Sequence, residues 1–114
     1  NPHAGGVKVP PTVQERVRRR LLAHAEARYA GTYTRLVIRF SGQFCYVDAF
    51  TGPTLAHDDM PLHLCRLRHF AEDRWSVAFF TYSHERYEPS FFPSGEFWGT
   101  PEEGLDVGAV YLQG

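Results

Sequence analysis

A chain of 114 residues is long enough to bury one hydrophobic core and too short for two independently stable ones. With 43% hydrophobic and 22% charged residues it has the composition of a globular protein rather than a disordered one, and no apolar run approaches the ~18 residues of a membrane span. A formal net charge of −1 excludes a global attraction to nucleic acid or anionic lipid, so any such binding would need a local patch.

Charge is unevenly spread along the chain. Residues 12 to 31 hold Arg16, Arg18, Arg19, Arg20 and Arg28 against Glu15 and Glu26, whereas residues 85 to 114 hold six acidic residues against Arg86. The two ends are therefore expected to attract each other, within one molecule or between two. Lys8 is the only lysine, so the basic side chains are almost all guanidiniums, which suit bidentate contacts and stacking on aromatic rings. Cys45 and Cys65 are too few for a disulfide framework and lack zinc-ligand spacing, so buried, reduced thiols are expected. A cytoplasmic location is the default this implies.

Residues 1 to 9, with Pro2, Gly5 and Gly6, show no periodicity and read as a flexible tail preceding a single domain over 10 to 114. Thr12 and Glu15 form a T-x-x-E pattern that predicts a capped helix over 12 to 30. Its apolar stripe would run through Val13, Val17, Leu21, His24, Ala25 and Arg28, widened by Leu22 and Tyr29, with Gly31 closing it.

From Arg35 to Phe40 and from Phe44 to Phe50 the pattern alternates, with Gly42-Gln43 placed for a type II′ turn. That register pairs Phe40 with Cys45, Ile38 with Val47 and Leu36 with Ala49, and puts Arg35, Arg39, Tyr46, Asp48 and Phe50 on the opposite face. Residues 51 to 61 read as a loop. A second hairpin is expected over Leu62 to Phe70 and Trp75 to Ser83, turning at Glu72-Asp73, which pairs Leu67 with Ala78 and Cys65 with Phe80. Segments RYEPSFF and EFWG, separated by Pro93-Ser94-Gly95, suggest a shorter hairpin with Pro89 at an edge or bulge. Thr100-Pro101-Glu102-Glu103 predicts a second capped helix, in which Gly104 and Gly108 signal close packing.

The expected fold is α+β: an antiparallel, curled sheet or partial barrel of four to six strands, covered by a long N-terminal and a short C-terminal helix. The run LCRLRHF, together with DRWSVAFFTYSHERYEPSFFPSGEFWGTPEEGLDVGAVYL, resembles a group of small bacterial proteins of unknown function. That resemblance spans about a whole domain and implies no activity or catalytic residue.

The most suggestive constellation is the outer sheet face, where Arg39, Tyr46, Asp48, Arg66, Arg68, Trp75 and Phe79 would lie together. Interleaved Arg and aromatic side chains can anchor a protein partner or a second copy, or stack bases and contact phosphates. The alternative is that Tyr46, Trp75 and Phe79 form a second core covered by Tyr87, Phe91, Phe92, Phe97 and Trp98. His57, Asp59 and His63 are weak metal-ligand candidates whose spacing matches no metal motif. Cys65 would need exposure beside His63 or His69 to serve as a nucleophile. No catalytic motif is present, neither a phosphate-cradling Gly loop, nor G-x-S-x-G, nor H-E-x-x-H, and no cofactor is implied. The sequence thus points first to a non-enzymatic interaction module, self-associating or binding another protein or ligand. RNA or single-stranded DNA binding comes second, and a small-pocket enzyme third.

Overall fold

The computed structural model describes residues 1–52 and 60–112. In chain order it contains helix α1 (Pro11–Tyr29), strands β1 (Arg35–Ser41), β2 (Phe44–Phe50), β3 (Leu62–Ala71), β4 (Arg74–Thr81) and β5 (Arg86–Ser90), helix α2 (Pro101–Gly108), and a 3-10 turn, Ala109–Leu112. The strands form one antiparallel sheet in the order β1-β2-β3-β4-β5. Both helices lie on one of its faces, which is the expected α+β arrangement. No described helix is long and apolar enough to cross a membrane.

α1 starts one residue earlier than its capping pattern suggests. Pro11 has the φ a first helical residue needs and no N–H to leave unsatisfied. Pro10 becomes the cap, Thr12 falls inside the helix, and no side chain caps the start. The amide of Gln14 instead donates to the carbonyl of Val9 (3.0 Å). Gly31 adopts a positive φ of 84° just beyond the end, as a closing glycine should. Val17, Leu21 and Ala25 are buried, with Val13 and Tyr29 packed beside them, whereas Leu22 points outward. At α2, Thr100 accepts from the Glu103 N–H while the Glu103 carboxylate accepts from the Thr100 N–H, a complete capping box with Pro101 opening the helix.

The first hairpin has the register the turn chemistry predicts: Phe40 faces Cys45, Ile38 faces Val47 and Leu36 faces Ala49. Gly42 has a φ of 60° and Gln43 is not in the positive region, as a type II′ turn requires. In the second hairpin the Glu72-Asp73 turn also forms, but the pairing differs from expectation by one residue. Leu67 faces Val77 and Cys65 faces Phe79, because Phe70 is an extra residue in β3 between His69, paired with Trp75, and Ala71, paired with Arg74. A second bulge makes Leu64 an extra residue in β3 opposite β2, so His63 pairs with Asp48 and Cys65 with Val47.

These two bulges correct several expected placements. Trp75, Val77 and Phe79 turn to the helix side with Cys65 and Leu67, and Ala78 and Phe80 move to the outer face. Trp75 is fully buried, its ring N–H donates to Glu72 C=O (2.7 Å), and its backbone exchanges hydrogen bonds with Gly99. RYEPS pairs with β4 at the sheet edge rather than with EFWG, Pro89 lying opposite Ala78. The Pro93–Gly95 stretch is a tight turn held by Gly95 N–H on Phe92 C=O and Phe92 N–H on Glu96 C=O.

The core gathers Trp75, Leu21, Leu64, Leu67, Leu105, Val17, Val47, Val77, Cys45 and Cys65, all essentially without solvent contact. Val9 belongs to it, although it falls in the segment expected as a tail. The N–H groups of Val7 and Val9 donate to His69 and Gly42 carbonyls, and His69 Nδ1 donates to Val7 C=O (2.9 Å). Phe92 is buried against Gly99, where any side chain would overlap its ring. The opposed charges at the chain ends meet within the molecule: Arg20 grips Glu102 through two hydrogen bonds, and His24, Tyr29 and Arg28 converge on Asp106.

The close approach read from Gly104 and Gly108 is present. A Cβ on Gly104 would sit 2.3 Å from a Leu67 methyl, and one on Gly108 would sit 2.4 Å from the Leu64 carbonyl oxygen. A side chain can swing aside and a backbone carbonyl cannot, so Gly108→Ala is expected to be the worse change. Overpacking of ~1–3 kcal/mol should outweigh the ~1 kcal/mol of helix propensity gained, lowering the urea midpoint below that of Gly104→Ala. Trp75→Ala should destabilise by about 3–5 kcal/mol through the cavity it leaves, measured as the same midpoint. A surface residue would cost a small fraction of that.

Candidate functional site

The outer face of the sheet is assembled by register. Across one row lie Arg39, Tyr46, Arg66, Ala78 and Pro89, contributed by β1 to β5 in order. The next row carries Phe44, Arg68 and Ser76. Arg35 pairs with Phe50, and Asp48 with His63, further along β2. Of the residues expected on this face, Arg39, Tyr46, Asp48, Arg66 and Arg68 come together there, and Trp75 and Phe79 do not. Phe80, Tyr87, His63 and Ser76 take part instead. Sequence alternation missed Phe80, His63 and Ser76 because the bulges at Leu64 and Phe70 reverse the parity of the strand segments that carry them, whereas Tyr87, expected as a cover over this face, belongs to the sheet itself through β5. The pair of β-branched and aromatic runs flanking a single turn gave no signal of the extra residue.

Guanidiniums lie over rings throughout this face. Arg39 sits 4.3 Å from the Tyr46 ring centre, Arg35 4.7 Å from Phe50, and Phe44 is shared by Arg66 at 4.5 Å and Arg68 at 4.7 Å. Arg66 also approaches Tyr87, whose ring packs edge-on against Tyr46 and Phe80. Each such stack contributes about 0.5–1 kcal/mol where it is exposed. Tyr46, Phe44 and Tyr87 remain partly exposed, so these rings do not close into a second core. Burial, then the nearby Asp48 carboxylate, raises the Tyr87 phenol above its ordinary value, which keeps it a neutral donor.

Among the described residues the arginines divide cleanly. Those of α1 and Arg86 all have carboxylate partners: Arg16 with Glu72, Arg18 and Arg19 with Glu15, Arg20 with Glu72, Asp73 and Glu102, Arg28 with Asp106, and Arg86 with Glu88. Arg35, Arg39, Arg66, Arg68 and Arg74 have none, and each of the five stacks on an aromatic ring, Arg74 on Trp98 at 4.2 Å. The run Arg16 to Arg20, which could have been a phosphate contact, is thereby occupied by the protein's own acids. Asp48, the carboxylate on the outer face, is buried and accepts from His63 Nδ1 at 3.0 Å.

Two of the unpaired guanidiniums flank a small niche of about 30 Å³ bounded by His3, Arg66, Arg68, Ser76, Val77, Ala78 and Pro89. Burial and the proximity of Arg66 lower the Arg68 pKa, and burial followed by Arg68 and Arg66 lowers that of His3. Burial is the larger cause of both shifts, and the neighbouring positive charges add to it. One Arg68 N–H is satisfied by Gly5 C=O (2.8 Å).

The other candidate sites fare differently. His57 and Asp59 lie outside the described residues, and His63 is committed to Asp48. Among the described residues no three His, Cys, Asp or Glu side chains gather as metal ligands. The Leu64 bulge also separates His63 from Cys65, and His69 packs on Trp75 inside the core, so no imidazole activates a thiol. No family model, no curated protein and no solved structure matches this chain.

Burial pushes the Cys45 thiol up to about 12 and raises Cys65 as well. At pH 8 both are therefore expected to react with a disulfide reagent only as fast as the chain opens, and at full rate in denaturant. Rapid labelling of the native protein would contradict this placement.

Proposed function

We propose that this chain is a non-enzymatic binding module that takes an anionic partner on the outer, Arg–aromatic face of its sheet. One observation carries the reading: every arginine without a carboxylate partner among the described residues is stacked on an aromatic ring, and four of the five, Arg35, Arg39, Arg66 and Arg68, share that face. Arg35 and Arg39 are exposed and Arg66 and Arg68 half-buried, and the acids near the helix layer are spent there, so this face carries positive charge that its own side chains leave unneutralised. A partner bearing several anionic groups supplies what the fold withholds.

The same charge argues against a second copy as the occupant. A face-to-face pair would oppose two sets of guanidiniums with only buried Asp48 between them, so like-charge repulsion works against it. The partner is a different molecule.

A nucleic-acid strand is the second reading, favoured by the partly exposed rings of Phe44, Tyr46 and Tyr87 between the arginines, since bases stack on such rings. The test is binding of two polyanions, a single-stranded oligonucleotide and poly-glutamate, followed by fluorescence anisotropy as salt is varied. With three or four strand phosphates contacted, the log–log salt slope for the oligonucleotide should be about −2 to −3. The pair Arg39→Gln and Arg66→Gln should weaken binding at least about tenfold, since a hydrogen bond to a charged group contributes ~1.5–3 kcal/mol. Absence of binding to either polyanion at low salt would overturn the proposal.

A further inference from the structure

We infer that the niche between Arg66 and Arg68 is a seat for one phosphate group of a single-stranded nucleic acid, with the Ser76 hydroxyl at its floor. This rests on the anionic-partner reading and narrows it to a chemistry and a position.

Ser76 is the observation that singles out this spot. It is 2% exposed, it stands opposite Arg68 on β4 with its side chain on the outer face, and it lines the niche. Among the described residues its hydroxyl makes no side-chain hydrogen bond, whereas a buried hydroxyl is ordinarily paired because leaving it unpaired costs about 1–3 kcal/mol. Arg66, Arg68, His3 and Ser76 all border this niche of about 30 Å³, and the donors those residues carry suit an oxyanion. The donors approach from different elements: Arg66 and Arg68 from β3, Ser76 from β4 and His3 from the N-terminal segment. Four donor-bearing residues suit a phosphate, with three or four acceptor oxygens, better than a carboxylate with two.

The surroundings favour a strand as the source of that phosphate. Arg66 bridges the niche to the rings of Phe44 and Tyr87, so a nucleotide whose phosphate is seated has a stacking surface beside it. Arg39 lies two strands away in the same row as Arg66. At ~4.8 Å between neighbouring strands it stands about 10 Å off, within reach of a following phosphate on an extended backbone. A lone phosphate ion would leave Arg39 and Arg35 without a role.

The test uses the full chain with a fluorescent single-stranded oligothymidine, titrated by anisotropy in competition with inorganic phosphate or acetate at equal ionic strength. Phosphate should displace the strand more effectively than acetate. Ser76→Ala, with an unchanged circular dichroism spectrum, should weaken the strand about tenfold. Should Ser76→Ala not fold, broadening of the inorganic phosphate 31P signal by the wild-type chain, abolished in Arg66→Gln, gives the same answer.

If the strand binds, yet Ser76→Ala binds it as tightly and phosphate competes no better than acetate, the phosphate seat is wrong and the anionic-face reading stands. If neither polyanion binds at all, that reading fails too. Phosphate broadening without strand binding would overturn the strand as the source.

Discussion

The extra residue that Phe70 inserts in β3 decides which side of the sheet every residue of β4 and β5 serves. A strand has a period of two, so one inserted residue exchanges inner and outer faces for everything paired beyond it. It turns Trp75 and Val77 under the helices, where they complete the core with Leu64, Leu67 and Leu105. It also brings the small residues Ser76 and Ala78 out opposite Arg68 and Arg66. With a regular hairpin, Trp75 and Val77 would fill the space that the niche occupies, and the core would be floored by Ser76 and Ala78. Packing and the candidate site thus depend on a single irregularity.

The second organising effect is how the fold distributes opposite charges. Glu72 and Asp73 at the β3–β4 turn, together with Glu102 and Asp106 of α2, lie within reach of α1 and neutralise its arginines. Arg20 is the centre of that arrangement, held by Glu102 and Asp73 and raised well above an already high pKa. What these pairs accomplish mechanically is to fasten α1 to α2 and to the hairpin turn on the covered side of the sheet. What they accomplish electrostatically is to leave the uncovered side with guanidiniums and hardly any acid.

Much of this was legible in the residues, and the exceptions have identifiable causes. The α+β layering, the Gly42-Gln43 turn, the burial of both cysteines, the Thr100 capping box and the tight contacts at Gly104 and Gly108 all follow from local chemistry that tertiary packing reinforces. The Thr12 cap was displaced because two prolines compete for the start of the helix and Pro11 fits its first position better. Parity in the second hairpin could not be read because Phe70 is apolar and fits a regular strand as well as a bulge. The outer face consequently carries the expected Arg39, Tyr46, Asp48, Arg66 and Arg68, with His63 added by the Leu64 bulge, and in β4 it carries Ser76 and Phe80 in place of Trp75 and Phe79. Val9 was missed because a single buried valine among Pro, Gly and Lys has no periodicity to reveal it.

The near-neutral net charge of −1 gives the unpaired arginine face an unusual kinetic character. From afar the molecule offers an anion almost no attraction, and at physiological ionic strength the field of the face itself fades within about 8 Å. Encounter should therefore proceed at the unsteered rate of roughly 10⁵–10⁶ M⁻¹s⁻¹ rather than at the fast limit reached by strongly basic proteins. Selectivity among anions would then be expressed after collision, in how long each one stays, and a ligand that engages the stacked guanidiniums in register would be distinguished by its residence time.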